Sequence, residues 1–243
     1  MHTKITRYLS GFALFSFIFV FLGLGFFQLG QADYASILAN NPAAVNTEPA
    51  PQGQTIIIDP GHGGRDSGAL GADRGEEKDI NLAVSLVLAD LLRLSGHNVI
   101  MTRTEDDDLG NDIRGQRKLT DLQARVRIAN ENPDAIFISI HMNTFPKENV
   151  WGMRLYHRRN CEVSERLARY VSEANQQLLQ PDNDYEIKPA TSAIFVLNRA
   201  NIPAILVECG FLTNPAEAAL LACPDYQRKL ALVIASAVWR LEG

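Results

Sequence analysis

The sequence predicts an α/β fold, a single three-layer domain whose largely parallel, twisted sheet of about six strands carries helices on both faces. Three observations lead there. Short β-branched apolar runs recur through the chain after residue 54, segments with helical apolar spacing separate them, and several of the runs end at a histidine or a glutamate. Consecutive parallel strands need a crossover connection, normally a helix, so this alternation implies parallel pairing.

Residues 55–59, 98–103, 135–140 and 203–208 read as strands, with β-branched apolar centres as expected of strands covered on both faces. Residues 153–156 and 193–197 are weaker strand candidates. Ile80, Ala83, Val84, Val87, Leu88, Leu91 and Leu92 repeat at helical spacing and stop at Gly96, a C-cap residue. Thr120 with Gln123 forms a capping-box pattern ahead of Leu122, Val126 and Ala129. Val163, Leu167, Val171, Ala174 and Leu178 give a third helical face, Asn214-Pro215 with Glu217 opens a fourth helix, and Tyr226, Leu230, Val233, Ala237 and Leu241 mark the last.

Residues 8–32 carry no charge, are rich in Phe, Leu, Ile and Val, and follow Lys4 and Arg7. They predict a signal peptide or membrane anchor over residues 1–34, with the remainder exported to the outer face of the cytoplasmic membrane. Residues 35–54, with Asn, Ala, Pro and Gln, read as a linker, leaving residues 55–243 as the catalytic domain. A net charge of −5 without a basic stripe excludes nucleic acid as a partner. The 3 cysteines, Cys161, Cys209 and Cys223, form no CxxC pair and read as small buried apolar residues, with a Cys161–Cys223 bridge the open alternative.

Chemistry concentrates at strand ends. The first strand runs into Asp59-Pro60-Gly61-His62-Gly63-Gly64, the third delivers His141 within Ser139-Ile140-His141-Met142-Asn143, and the fourth delivers Glu208. Glu76 and Glu77 stand at the mouth of the first helix, and composition alone allows either to join the histidines. Two imidazoles and one or two carboxylates at one sheet edge match an open zinc site, which keeps a position free for water and polarises a carbonyl. Asn143 is a candidate substrate hydrogen-bonder or a cap of the next turn. Arg103 and Arg125 suit site carboxylates, ligand phosphates or buried acids. His97 and His157 read as solvent-facing, and the run from Glu105 to Asp108 as a solvated acidic loop.

These motifs, with Glu77-Lys78-Asp79-Ile80-Asn81-Leu82, Thr102-Arg103, Val207-Glu208-Cys209-Gly210-Phe211 and Asn214, resemble the zinc-dependent N-acetylmuramoyl-L-alanine amidases. The resemblance implies Zn2+ held by His62, Glu77 and His141, the spacing from His62 selecting Glu77 over Glu76, and Glu208 as the catalytic carboxylate. The substrate it implies is peptidoglycan, cut between muramic acid and L-alanine. Arg117-Lys118, Asp121-Leu122, Arg125, Phe145-Pro146 and Trp151-Gly152 resemble the germination-specific spore-cortex branch, in which cleavage leads to muramic-δ-lactam and an activating partner protein is known for some members. The competing expectations are a vegetative amidase of the same chemistry, a zinc peptidase cutting within the stem peptide, and a catalytically silent wall-binding module.

Overall fold

The computed structural model describes residues 53–71, 75–111 and 115–242. The expected anchor, and the expected linker up to residue 52, lie outside the described residues. The folded chain begins with β1 (Gly53–Pro60) and continues through α1 (Glu77–Leu94), β2 (His97–Met101), α2 (Arg117–Asn130), β3 (Ile136–Asn143) and β4 (Arg154–His157). It ends with α3 (Glu162–Leu178), β5 (Lys188–Pro189), α4 (Phe195–Arg199), β6 (Ala204–Phe211), α5 (Pro215–Leu221) and α6 (Pro224–Glu242).

The strands form one sheet in the order β2-β1-β3-β6-β4-β5. β1 is parallel to both β2 and β3, and β3 to β6, while β4 runs antiparallel to β6. Since successive residues of a strand face opposite ways, one apolar run supplies both layers. Ile56, Ile58, Ile138, Ile140, Ile205 and Val207 face α1, α3 and α6 through Leu88, Leu167 and Ile234. Ile57, Phe137 and Leu206 face the other layer, with Ala129 of α2 and Val196 and Leu197 of α4. Burying each such side chain contributes roughly 1.5–3 kcal/mol. The chain passes from β1 to β2 on one side and reaches β3 on the other, so its switch point opens a crevice at the carboxyl ends of β1 and β3.

Several expectations need correction. Residues 193–197 do not form a strand: Val196 and Leu197 are adjacent in sequence yet both enter the same core, which a helical turn permits and a strand does not. α2 begins at Arg117, three residues before the capping-box threonine; Thr120 lies inside the helix, where its hydroxyl donates to Arg117 O at 2.8 Å. The short strand β5 carried no pattern in the sequence, two residues being too few to show a period. His97 is buried, with Nδ1 3.0 Å from Ser95 Oγ and 3.2 Å from Leu92 O, and His157 is half-buried. All three cysteines are free; Cys209 is buried, but Cys223 is exposed. No helix among the described residues is long and apolar enough to cross a membrane.

Candidate active site

β1 and β3 are adjacent and parallel, so His62, just past the end of one, and His141, near the end of the other, meet over the crevice with ring centroids 4.9 Å apart. Glu77, in the first turn of α1, completes the group: His62, Glu77 and His141 each bring one ligand atom within 4.8 Å of the others. Glu77 Oε1 lies 3.0 Å from His141 Nδ1 and 3.3 Å from His62 Nε2. The same oxygen accepts from Met142 N at 3.1 Å, and Oε2 accepts from Ala69 N at 2.9 Å, which fixes the carboxylate plane. Burial opposes ionisation of Glu77, but the contacts to His141 and His62 override it and hold the carboxyl far below the usual range. Burial also disfavours the His62 cation, and Glu77 and Asp66 outweigh that, leaving the imidazole easier to protonate than usual. Two imidazoles and a carboxylate aimed at one centre are a zinc donor set, so the residues present fit that metal.

The backbone around the group is shaped for it. His62 adopts φ 60°, uncommon for a residue with a Cβ. Arg125 Nη2 holds that turn by donating to His62 O at 2.7 Å, and Asp66 Oδ2 accepts from His62 Nδ1 at 2.9 Å, leaving Nε2 toward Glu77. Gly61 runs beneath His141, where an added Cβ would stand 2.2 Å from Cε1 of the ring. Asp59 anchors the strand end: Oδ1 accepts from Arg125 at 2.6 Å and Thr102 at 2.7 Å, and Oδ2 from Ser139 at 2.7 Å. Burial would raise the Asp59 carboxyl, but the Arg125 charge and these hydroxyls leave it lowered. Arg125 therefore serves the buried Asp59 and the half-buried Asp121.

Arg103 joins the two segments that carry ligands. It donates to Pro60 O and Gly61 O, each at 3.0 Å, and to Lys78 O at 2.8 Å. The acidic run is exposed at Glu105, Asp106 and Asp107, as expected of a solvated loop, yet two of its carboxylates are also engaged. Asp106 accepts from Gly64 N at 2.8 Å and Lys78 Nζ at 2.7 Å, Asp108 pairs with Arg117, and together they clamp the glycine turn after His62. The contacts of Asp66, Asp106 and Lys78 are not legible in the sequence because they span loops; the four-residue spacing of His62 and Asp66 is the one local signal. Glu76 is apart from the group and pairs with Lys78 at 3.1 Å.

Glu208 is aligned with His141 in the β3–β6 register, so their side chains share a face. Its Oε2 is sealed from solvent and accepts no hydrogen bond among the described residues. Burial pushes its carboxyl up to about 7, against the pull of His141. A cleft of about 220 Å³ opens over Glu208, His62 and His141, walled by Lys118, Leu122 and Phe195. Asn143 turns Oδ1 to its own loop, accepting from Thr144 N at 2.8 Å.

Comparison with known proteins agrees with this geometry. The sequence profile described as N-acetylmuramoyl-L-alanine amidase matches residues 56–240. The chain belongs to this amidase family. It is 36% identical over 191 residues to the germination-specific N-acetylmuramoyl-L-alanine amidase of Bacillus subtilis (strain 168), covering 77% of this chain and 79% of that protein. The fold is similar to the CwlD amidase from Clostridioides difficile, solved in complex with the GerS lipoprotein, with 36% identity, a TM-score of 0.74 and coverage of 78% and 98% of the two chains. It is also similar to the amidase AmiC2 of Nostoc punctiforme, with 30% identity, a TM-score of 0.67 and coverage of 77% and 96%. This amidase is thus a hydrolase of the bond between the N-acetylmuramoyl group and L-alanine, and its substrate is peptidoglycan.

Proposed function

We propose that His62, Glu77 and His141 hold zinc, that Glu208 moves the proton during hydrolysis, and that the reaction serves spore cortex, clearing muramic acid for δ-lactam formation. Zinc bound there would supply Lewis-acid polarisation of the scissile carbonyl and make water nucleophilic near neutral pH. Glu208 takes the proton of the attacking water and delivers it to the L-alanine nitrogen as the amide breaks. The observation that carries this role is the sealed, unpartnered Glu208 Oε2 beside His141, an acid left with its proton affinity near the working range. Asp66 and Arg125 keep His62 in place, and Phe195 and Leu122 limit water in the cleft.

The cortex assignment rests on the germination-specific relative and on the spore-branch motifs from Gly115 to Gly152. We extend it to the whole chain: residues 1–34 export or anchor the protein, residues 35–54 tether it, and residues 55–243 act outside the cytoplasmic membrane or in the spore intermembrane space. A contact with an activating partner protein is part of the same reading, supported by the lipoprotein-bound relative.

Glu208→Gln tests the assignment. It keeps size but removes the base, so zinc content and thermal unfolding should be preserved while cleavage of defined muropeptides falls by about 10²- to 10⁴-fold. Near-normal cleavage excludes Glu208 as the base, and loss of zinc makes it a ligand. Spores of a deletion strain should lack muramic-δ-lactam; normal lactam with failed separation of vegetative cells would assign the enzyme to the vegetative wall.

A further inference from the structure

The strand ends that carry His141 and Glu208 continue into a second cleft of about 340 Å³, walled by Asn143, Phe145, Arg154, Tyr156, Tyr185 and Lys188. It adjoins the reaction centre by strand register. Glu208 is aligned with His141 on β3 and with Arg154 on β4, so the three side chains form a row on one face of the sheet.

Arg154 is held in place without a counter-ion. Its Nη1 donates to Gly152 O and Met153 O, and Nη2 to Trp151 O, all at 2.9 Å. The guanidinium lies over the Tyr185 ring, with the Phe211 ring 5.0 Å away. Among the described residues no carboxylate comes within ion-pair distance of it. Glu217 acts on it only from further off, its oxygens being occupied by Gly152 N and Phe211 N. Carbonyls and aromatic faces orient a cation but do not neutralise it. Lys188, exposed on the same wall, adds a second positive charge, opposed there by the exposed Glu186. An oriented guanidinium whose fork still has donors to give suits a carboxylate better than any neutral group.

We propose that this cleft receives the peptide arm of the substrate, with Arg154 binding a carboxylate of the stem peptide beyond L-alanine. The assignment rests on the reading above that the reaction centre lies at His62, His141 and Glu208. Charge decides which arm enters. In the intact substrate the carboxylates belong to the peptide, whereas a chain of N-acetylated sugars is neutral. The first cleft, on the other side of Glu208 and walled by Leu122 and Phe195, then remains for the sugar.

The test uses two muropeptides that differ only in whether the residue after L-alanine carries a free carboxylate or a carboxamide. The zinc-loaded protein should cleave the carboxylate form with a kcat/KM about tenfold or more higher, as expected for a charge-assisted contact. Arg154→Gln should erase that preference by lowering kcat/KM on the carboxylate form alone. Arg154→Lys, which keeps the charge but not the fork, should restore part of it. Equal cleavage of both forms by the wild-type protein overturns the proposal, as does an Arg154→Gln protein that folds normally and loses both forms equally. If Arg154→Gln does not fold, because Trp151, Gly152 and Met153 lose their donor, the wild-type comparison decides, with Lys188→Gln expected to reduce the preference. Failure to cleave either form at the L-alanine bond would instead refute the reading of the reaction centre.

Discussion

Replacing Arg103 with Met should weaken zinc binding as well as the fold. Arg103 is buried and donates to Pro60 O, Gly61 O and Lys78 O, thereby tying the turn before His62 to the helix start that carries Glu77. With a fourth bond to Glu105 O at 3.0 Å, the loss is still smaller than four separate bonds suggest. Pro60 O also accepts from Arg125 at 2.8 Å and Gly61 O from Asn81 at 3.1 Å, so neither carbonyl is left bare. With charge-assisted bonds at roughly 1.5–3 kcal/mol each and two acceptors keeping a partner, the expected cost is about 3 kcal/mol. In a domain of this size that lowers Tm by about 6–12 °C. Removing a group that orients metal ligands typically costs about 10- to 100-fold in affinity, and the larger figure is expected because both ligand segments are released. Competition with a fluorescent chelator gives the zinc Kd, and calorimetry on the same preparation gives Tm. A variant whose Tm falls as stated while its zinc Kd changes by less than about threefold would show that Arg103 supports the fold and not the site.

Three other outcomes follow from the same geometry. Glu77→Ala should strip zinc and Glu76→Ala should not, since Glu76 pairs with Lys78 apart from the histidines; equal metal loss by elemental analysis would refute the assignment. Gly61→Ala should displace His141, because the added Cβ would meet ring atoms at 2.2–2.6 Å, and zinc should be lost with far-UV circular dichroism unchanged; full zinc content would show that the ring can move aside. The lowered Asp59 carboxyl stabilises the fold in full above its ordinary value of 3.8 and loses that contribution as pH falls through its folded value. Asp59→Asn, which leaves the buried Arg125 with Asp121 as its remaining carboxylate, should cost less than the roughly 3–5 kcal/mol of a fully orphaned buried charge at pH 7, with the gap to wild type closing below pH 3.8 in urea titrations.

The fold class and the gathering of His62, His141 and Glu208 at one sheet edge were legible in the sequence because each is written locally. Four short, predominantly apolar runs separated by helical periods already point to a parallel sheet with both faces covered. Strand ends occupied by His62, His141 and Glu208 place imidazoles and an acid on one edge before any strand order is known. The choice of Glu77 over Glu76 came from family spacing, and the structure supplies its physical counterpart: the first turn of α1 aims position 77 into the crevice and position 76 toward Lys78.

Tertiary structure decided what depends on residues distant in sequence. Nothing local distinguishes residues 193–197 from a strand; both Val196 and Leu197 turn inward only because the layer over β3 and β6 accepts a helical turn there. The acidic run is solvent-exposed as its sequence suggests, but the partners of Asp106 and Asp108, namely Gly64, Lys78 and Arg117, come from a glycine turn and two helices that only the fold brings near. Arg103 and Arg125 had several plausible counter-ions in the sequence, and packing selected among them, since a buried guanidinium must take the acceptors that its own strand end and helix bring within 3 Å. The alignment of Arg154 with Glu208 was equally beyond reach, because the two lie on strands 54 positions apart and meet through antiparallel register alone.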